Sequence, residues 1–172
     1  MEHHKIAVLG LGGSLNEFNP DNFDMSVGVN DIWRYHRCEA VVCLDRRQNF
    51  TADRMGVIDG CRPFDFYSHL ACYKERPDFR PIEILSSYPD VTCDVTLRQF
   101  QRSFCSPFVA VQIAYRYYNA AEIHIFGVDL LNHPKLNNDL CDKIKRHFIN
   151  LKKALDGKCT LIVHGDGILK NI

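Results

Sequence analysis

The 172-residue sequence has eight cysteines, at positions 38, 43, 61, 72, 93, 105, 141 and 159, but no Cys-x-x-Cys pair and no Cys/His cluster at zinc-ligand spacing. That excludes the common structural zinc modules. Several of the cysteines lie inside apolar runs, as Cys43 does in A-V-V-C-L and Cys159 in C-T-L-I-V, where a thiol acts as a small hydrophobe. No apolar run approaches the roughly 18 residues that a membrane-spanning helix needs, and no secretory signal opens the chain, so a reducing, cytoplasmic location is expected. Charge of one sign is also lacking: 21 Lys and Arg balance 21 Asp and Glu, which leaves no global field to favour nucleic acid or an anionic membrane. An Asp-x-Asp pair, which would hold a divalent ion beside a diphosphate, is absent as well.

What is present begins at Lys5 to Ser14, read as K-I-A-V-L-G-L-G-G-S. A short apolar run enters a turn carrying Gly10, Gly12 and Gly13, followed by Ser14. Glycine allows close approach of another molecule to the backbone, so such a turn after a first strand suits a phosphate or ribose. The spacing is neither G-x-G-x-x-G nor the longer phosphate loop ending in Lys-Ser/Thr. A tight turn that merely reverses the chain is the alternative.

Apolar runs and helical periodicity then alternate. Strands are predicted at Met25 to Val29, Glu39 to Leu44, Phe64 to Tyr67, Ile82 to Leu85, Glu122 to Phe126 and Cys159 to Val163. Helices are predicted at Ile32 to His36, from Pro107 to Tyr118, and over the long stripe Leu136, Leu140, Ile144, Phe148, Leu151 and Leu155. With 46% hydrophobic residues, this length suits one well-buried core. The expectation is a single α/β domain over 1–172, a doubly wound, mostly parallel Rossmann-like sheet.

Polar residues at strand ends are candidate ligand contacts, because open α/β sheets place ligands there. Asn30 follows the second strand, although either it or Asp31 would also serve as a helix cap. Asp45 closes the third strand, unless it pairs with Arg46 or Arg47. Gly127 and Asp129 close the strand Glu122 to Phe126. Ser106, just before Pro107, offers a hydroxyl at a helix N-terminus, either as an anion site or as a plain cap. Arg98 and Arg102, shortly before it, could face an anion.

The ordered set G-L-G-G-S-L, V-G-V-N-D, V-V-C-L-D, S-P-F-V-A-V-Q-I-A-Y and E-I-H-I-F-G-V-D-L resembles the nucleotide-binding framework of small bacterial sialyltransferases. It is also similar to the related Rossmann-like superfamily that includes archaeal-type hydroxymethyl-dihydropterin pyrophosphokinases. The agreement covers roughly residues 5 to 45 and 103 to 131. The resemblance implies a nucleotide monophosphate or nucleotide-sugar between the first turn and Ser106, with Asn30 and Asp45 near ribose or base and Asp129 near the nucleotide. It also implies a histidine after G-V-D as general base, for which His133 is the nearest and mid-helix His147 a poorer substitute. Gly13 stands where the family has proline, and Leu11 where the sialyltransferases have a donor-contacting asparagine. The stretch after Asp129 is shorter, so no acceptor-covering lid can be assigned.

The reading that follows is a metal-independent, nucleotide-sugar-dependent glycosyltransferase with no tightly bound cofactor and no metal. A pyrophosphokinase-like enzyme would need a metal held by Asp45 and Asp129. A nucleotide-binding or partner-binding module without catalysis is the non-enzymatic alternative.

Overall fold

The computed structural model describes residues 4–131, 133 and 135–172. Seven strands form one sheet: β1 (His4–Leu9), β2 (Met25–Val29), β3 (Ala40–Val42), β4 (Asp65–Ser68), β5 (Phe79–Pro81), β6 (Ala120–Phe126) and β7 (Thr160–Val163). Their order is β5-β4-β3-β2-β1-β6-β7, and every neighbouring pair is parallel. This is the doubly wound Rossmann-like sheet that the alternation of elements predicts. The order runs outward from β1 in both directions, which puts the topological switch between β1 and β6.

Alternation along each strand separates two apolar layers. Ile6, Val8, Val27, Val29, Ile123 and Ile125 face helices α2 (Pro107–Tyr117) and α3 (Asn138–Leu155). Ala7, Leu9, Val41, Phe66 and Phe126 face the other way, against Ile58 of α1 (Ala52–Gly60) and short 3-10 turns carrying Leu15, Ile32 and Tyr73. Central strands covered on both faces have no polar side to show, so β1 and β3 read as continuous apolar runs. In α2 every side chain from Pro107 to Ala114 is buried. Gln112 is included because its amide holds Gln101: Nε2 donates to Gln101 O at 2.7 Å and Oε1 accepts from Gln101 N at 3.1 Å.

The structure corrects several local expectations. Ile82 to Leu85 is not a strand of the sheet; β5 ends at Pro81, and Ile84 makes only an isolated bridge with Phe100. The neighbouring strand β4 ends at Ser68, whose carbonyl still accepts from Ile82 N at 3.1 Å, and beyond that bond the segment turns to Phe100, with Leu85 N donating to Phe100 O at 2.9 Å. Helix α1 does not show in the apolar pattern because only Ile58 is buried, and Thr51 caps it by accepting from Arg54 N at 3.4 Å. Ser106 is not a side-chain cap: its backbone is already helical, and its hydroxyl bonds no amide of the first turn. Leu136, the first residue of the predicted stripe, lies outside α3; Asn137 caps the helix, accepting from Leu140 N at 2.9 Å. Among the described residues, no helix is long and apolar enough to cross a membrane.

All eight cysteines are free thiols. Burial pushes Cys38, Cys43, Cys93 and Cys105 up to about 12 and Cys159 up to about 11, whereas Cys72 is exposed. Because the thiolate is the reactive form, Cys72 should react first with a disulfide reagent at pH 8, and the buried thiols should wait for denaturant. Equal rates for all thiols in native protein would contradict this packing.

Candidate functional site

At the β1/β6 switch the two strands do not simply part. Backbone pairing continues beyond their ends, with Gly10 N donating to Phe126 O at 2.8 Å and Gly12 N to Gly127 O at 2.7 Å. Side chains complete the join: Ser14 Oγ accepts from Gly127 N, and Asp129 Oδ2 accepts from Ser14 N, each at 2.8 Å. The glycines are needed for this contact. A β-carbon on Gly10 would overlap Gly127 O, and one on Gly12 would fall 2.5 Å from Asp129 Oδ2. Gly127 also has φ of +69°, which a side chain resists. Gly13 differs, since its β-carbon would meet nothing nearer than Asp129 Oδ2 at 3.8 Å, and the residue is exposed. Three of the four turn glycines therefore serve the chain's own packing, and Gly13 leaves its face open.

A second glycine pair covers the same join from the far end of the chain. Gly165 abuts Ser14 and Asp129, and Gly167 lies against the Asp129 backbone. Ile168 N donates to Asp129 O at 3.0 Å. In sequence, H-G-D-G reads only as the turn after β7.

Sheet order makes the ends of β3, β2, β1 and β6 successive neighbours, so Asp45, Asn30, Gly10 and Asp129 follow one another along the carboxyl edge. Asn30 has φ of +53°, and its amide donates to Val42 O at 3.0 Å. It is not a helix cap, and neither is Asp31, whose carboxylate instead accepts from Arg54 Nε at 2.9 Å and Nη2 at 2.6 Å. Asn30 Oδ1 is buried with no hydrogen-bond partner among the described residues. Asp45 is exposed, and Tyr73 holds its backbone oxygen at 2.9 Å. Its suggested partner Arg47 pairs with Asp59 at 2.6 Å instead.

Ser106 is buried at the N-terminus of α2, its carbonyl accepting from Val109 N and Ala110 N. Because α2 leads into parallel β6, that N-terminus lies at the carboxyl edge of the sheet, with its positive dipole end toward the crevice. His133 is exposed in the link from β6 to α3, and Lys135 N donates to its Nδ1 at 3.2 Å. Asn132 and Pro134 lie outside the described residues.

The two arginines before α2 have different surroundings, and two histidine environments appear that the sequence does not signal. Arg98 pairs with Glu83 at 3.3 Å, but Arg102 lies over the Tyr88 ring at 4.6 Å with its Nε buried and unpartnered among the described residues. His69, just after β4, is held below the ordinary histidine range by burial and by Arg102. On the other face, Glu122 Oε1 accepts from His124 Nε2 at 2.6 Å, and His124 Nδ1 lies 2.7 Å from His164 Nε2. A carboxylate only accepts, so His124 carries its proton on Nε2 and His164 donates to Nδ1. Burial, then the neighbouring His124, lowers His164, and the hydrogen bond from His124 holds Glu122 below the usual carboxylate range.

These shifts fix the sign of a pH dependence. A histidine whose folded value is lowered favours the neutral ring, so its contribution is complete above about 6.5 and is lost as pH falls through the folded value. Glu122 adds its loss only below about 4.3. The urea midpoint should therefore fall between pH 7 and pH 5, and His164→Gln should flatten that slope. An unchanged slope would contradict the assignment. Among the described residues, no three His, Cys, Asp or Glu side chains converge as a metal site.

No protein-family model matches the chain, and no curated protein matches it in sequence. Among solved structures, it is similar to the sialyltransferase CstII from Campylobacter jejuni, determined in complex with the substrate analogue cytidine-5'-monophosphate. The similarity covers 98% of this chain and 80% of that one, with 13% identity and a TM-score of 0.51. The chain thus has a sialyltransferase-like fold.

Proposed function

We propose that the carboxyl edge of the sheet around the β1/β6 switch binds the nucleotide part of a nucleotide-sugar, and that the chain is a metal-independent glycosyltransferase. The observation that carries the binding step is Asn30 Oδ1. A buried carbonyl oxygen without a donor costs about 1–3 kcal/mol, and a base amine or ribose hydroxyl arriving at the end of β2 supplies that donor. The open face of Gly13 and the α2 N-terminus beside Ser106 would take the phosphate, with Gly10, Gly12, Ser14, Gly127 and Asp129 as the rigid floor beneath it. Asp45 would reach ribose or base. In the transfer, the acceptor hydroxyl gives its proton to His133, its oxygen bonds the anomeric carbon, and the bond from that carbon to phosphate breaks as the nucleoside monophosphate leaves.

The experiment is a thermal-shift screen of nucleoside monophosphates, with cytidine-5'-monophosphate first because the similar structure holds it. Ligand at about 100 times its dissociation constant adds about 2.7 kcal/mol, which raises the midpoint by roughly 5–10 °C in a chain of this size. Gly13→Val should leave the unliganded midpoint unchanged and weaken the shift at least tenfold in ligand concentration. No shift with any nucleotide at millimolar concentration would overturn the reading.

One observation favours binding without catalysis. In a neutral imidazole whose Nδ1 accepts from Lys135 N, the proton sits on Nε2, so neither nitrogen of His133 is free to take another. The base must first release the Lys135 amide. A chain that binds nucleotide but releases none from a nucleotide-sugar would fit that second reading.

A further inference from the structure

The buried stripe of α3 contains one polar ring. Ile144, Phe148, Leu151 and Leu155 turn toward the core, and His147 lies among them with no exposed surface. A buried imidazole needs a partner at each nitrogen. Asp90 Oδ1 lies 3.0 Å from Nε2, and Ser103 Oγ lies 2.9 Å from Nδ1. An ionised carboxylate only accepts, so the proton is on Nε2, Nδ1 is bare, and the Ser103 hydroxyl donates to it. Hydroxyl, bare imidazole nitrogen and orienting carboxylate therefore stand in line with the polarity that activates a serine.

The line is held rigidly. Tyr88 and Phe104 stack on the imidazole with ring centroids at 5.7 and 6.0 Å and planes within 20° of it. Asn150, one turn along α3, donates to Pro89 O at 2.9 Å and so holds the residue next to Asp90. Gln112 holds Gln101 two residues before Ser103. Donors for a developing oxyanion adjoin the serine in sequence. The amides of Phe104 and Cys105 make no hydrogen bond among the described residues, and Arg102 has its buried, unpartnered Nε. Phe104 remains partly exposed as an apolar surface for an acyl or alcohol group.

We propose that Ser103, His147 and Asp90 form an acyl-transfer site for carboxylic esters, distinct from the nucleotide reading. Ser103 Oγ bonds the ester carbonyl carbon while its proton passes to His147 Nδ1. The ester C–O bond then breaks, and the departing alkoxide takes that proton from Nδ1. Water then gives a proton to the same nitrogen as its oxygen bonds the acyl carbon, the bond from that carbon to Ser103 Oγ breaks, and Oγ takes the proton back from Nδ1 as the carboxylic acid leaves. Asp90 holds the imidazole tautomer throughout.

The test uses the whole chain, an alkyl fluorophosphonate and p-nitrophenyl acetate, with no nucleotide present. The site requires a one-to-one phosphonyl adduct that peptide mapping places on Ser103. Ser103→Ala should lose the adduct and lower ester hydrolysis at least ~100-fold in a chain that stays folded, its thermal midpoint lowered only by the loss of the one hydrogen bond to His147. Asp90→Asn, made at an exposed carboxylate, should keep the fold and slow labelling about tenfold or more, because the tautomer is no longer enforced. A folded chain that takes no adduct, an adduct mapped elsewhere, or hydrolysis unchanged in Ser103→Ala would overturn the proposal and leave the three residues as a clasp between α3 and the 88–104 segment. None of these outcomes bears on nucleotide binding, which the thermal-shift screen reads separately.

Discussion

Gly127→Val is expected to unfold the chain or leave it barely folded. Holding a branched residue at φ of +69° costs about 1–3 kcal/mol, and the added side chain would overlap the Gly10 carbonyl, where overpacking costs about 1–3 kcal/mol more. The sum of about 2–6 kcal/mol is a large share of the roughly 5–15 kcal/mol that holds a domain together. Relief by separating the strands would break the bonds from Gly12 N to Gly127 O and from Gly127 N to Ser14 Oγ, which carry the β1/β6 pairing past the strand ends. Urea denaturation followed by circular dichroism reads the loss. A midpoint equal to that of the unmodified chain would mean that the join does not exist. The contrast with Gly13→Val separates two uses of glycine in a single turn, since the first variant should fail before any ligand is added and the second only when ligand arrives.

His133→Ala should lower release of nucleoside monophosphate from a nucleotide-sugar at least ~100-fold while nucleotide affinity stays nearly unchanged. The reason lies in the position of the link that carries it. His133 follows Asp129 by four residues and precedes α3, so its exposed ring stands at the carboxyl edge, where the proposed ligand would sit. Among the described residues it bonds a backbone amide in the same link, an interaction that turning the ring would exchange for an acceptor hydroxyl. Loss of affinity together with turnover would point to a binding role. Full activity in the variant would remove His133 and leave nucleotide binding as the supported function.

Much of the sheet was legible because its strands are buried on both faces. The run Ile6 to Leu9 has no polar alternation, Ile123, Ile125 and Phe126 are interrupted only by His124, and the stripe of α3 keeps helical steps through Leu155. Helix α1 was not legible, because a helix that buries only Ile58 has almost no apolar period to read. The segment Ile82 to Leu85 has the β-propensity of a strand, but β4 ends at Ser68 and the segment meets Phe100 only as an isolated bridge, so propensity yielded to pairing.

The candidate site divides along the same line. Sequence alone determined that a glycine turn follows the first strand and that Asn30, Asp45 and Asp129 close later ones, because strand ends and turn glycines are local features written in consecutive residues. Only the tertiary structure decided what each glycine is for. Gly10 and Gly12 face a partner more than 110 residues away, and Gly165 returns from beyond β7 to cover Ser14 and Asp129. The same holds for the orphaned oxygen of Asn30, for Arg102 on Tyr88, and for His147 between Asp90 and Ser103. Periodicity reports which face of an element is apolar, but it carries no information about which distant group a buried polar atom will meet. That is set by how the elements pack, through the requirement that buried donors and acceptors find one another.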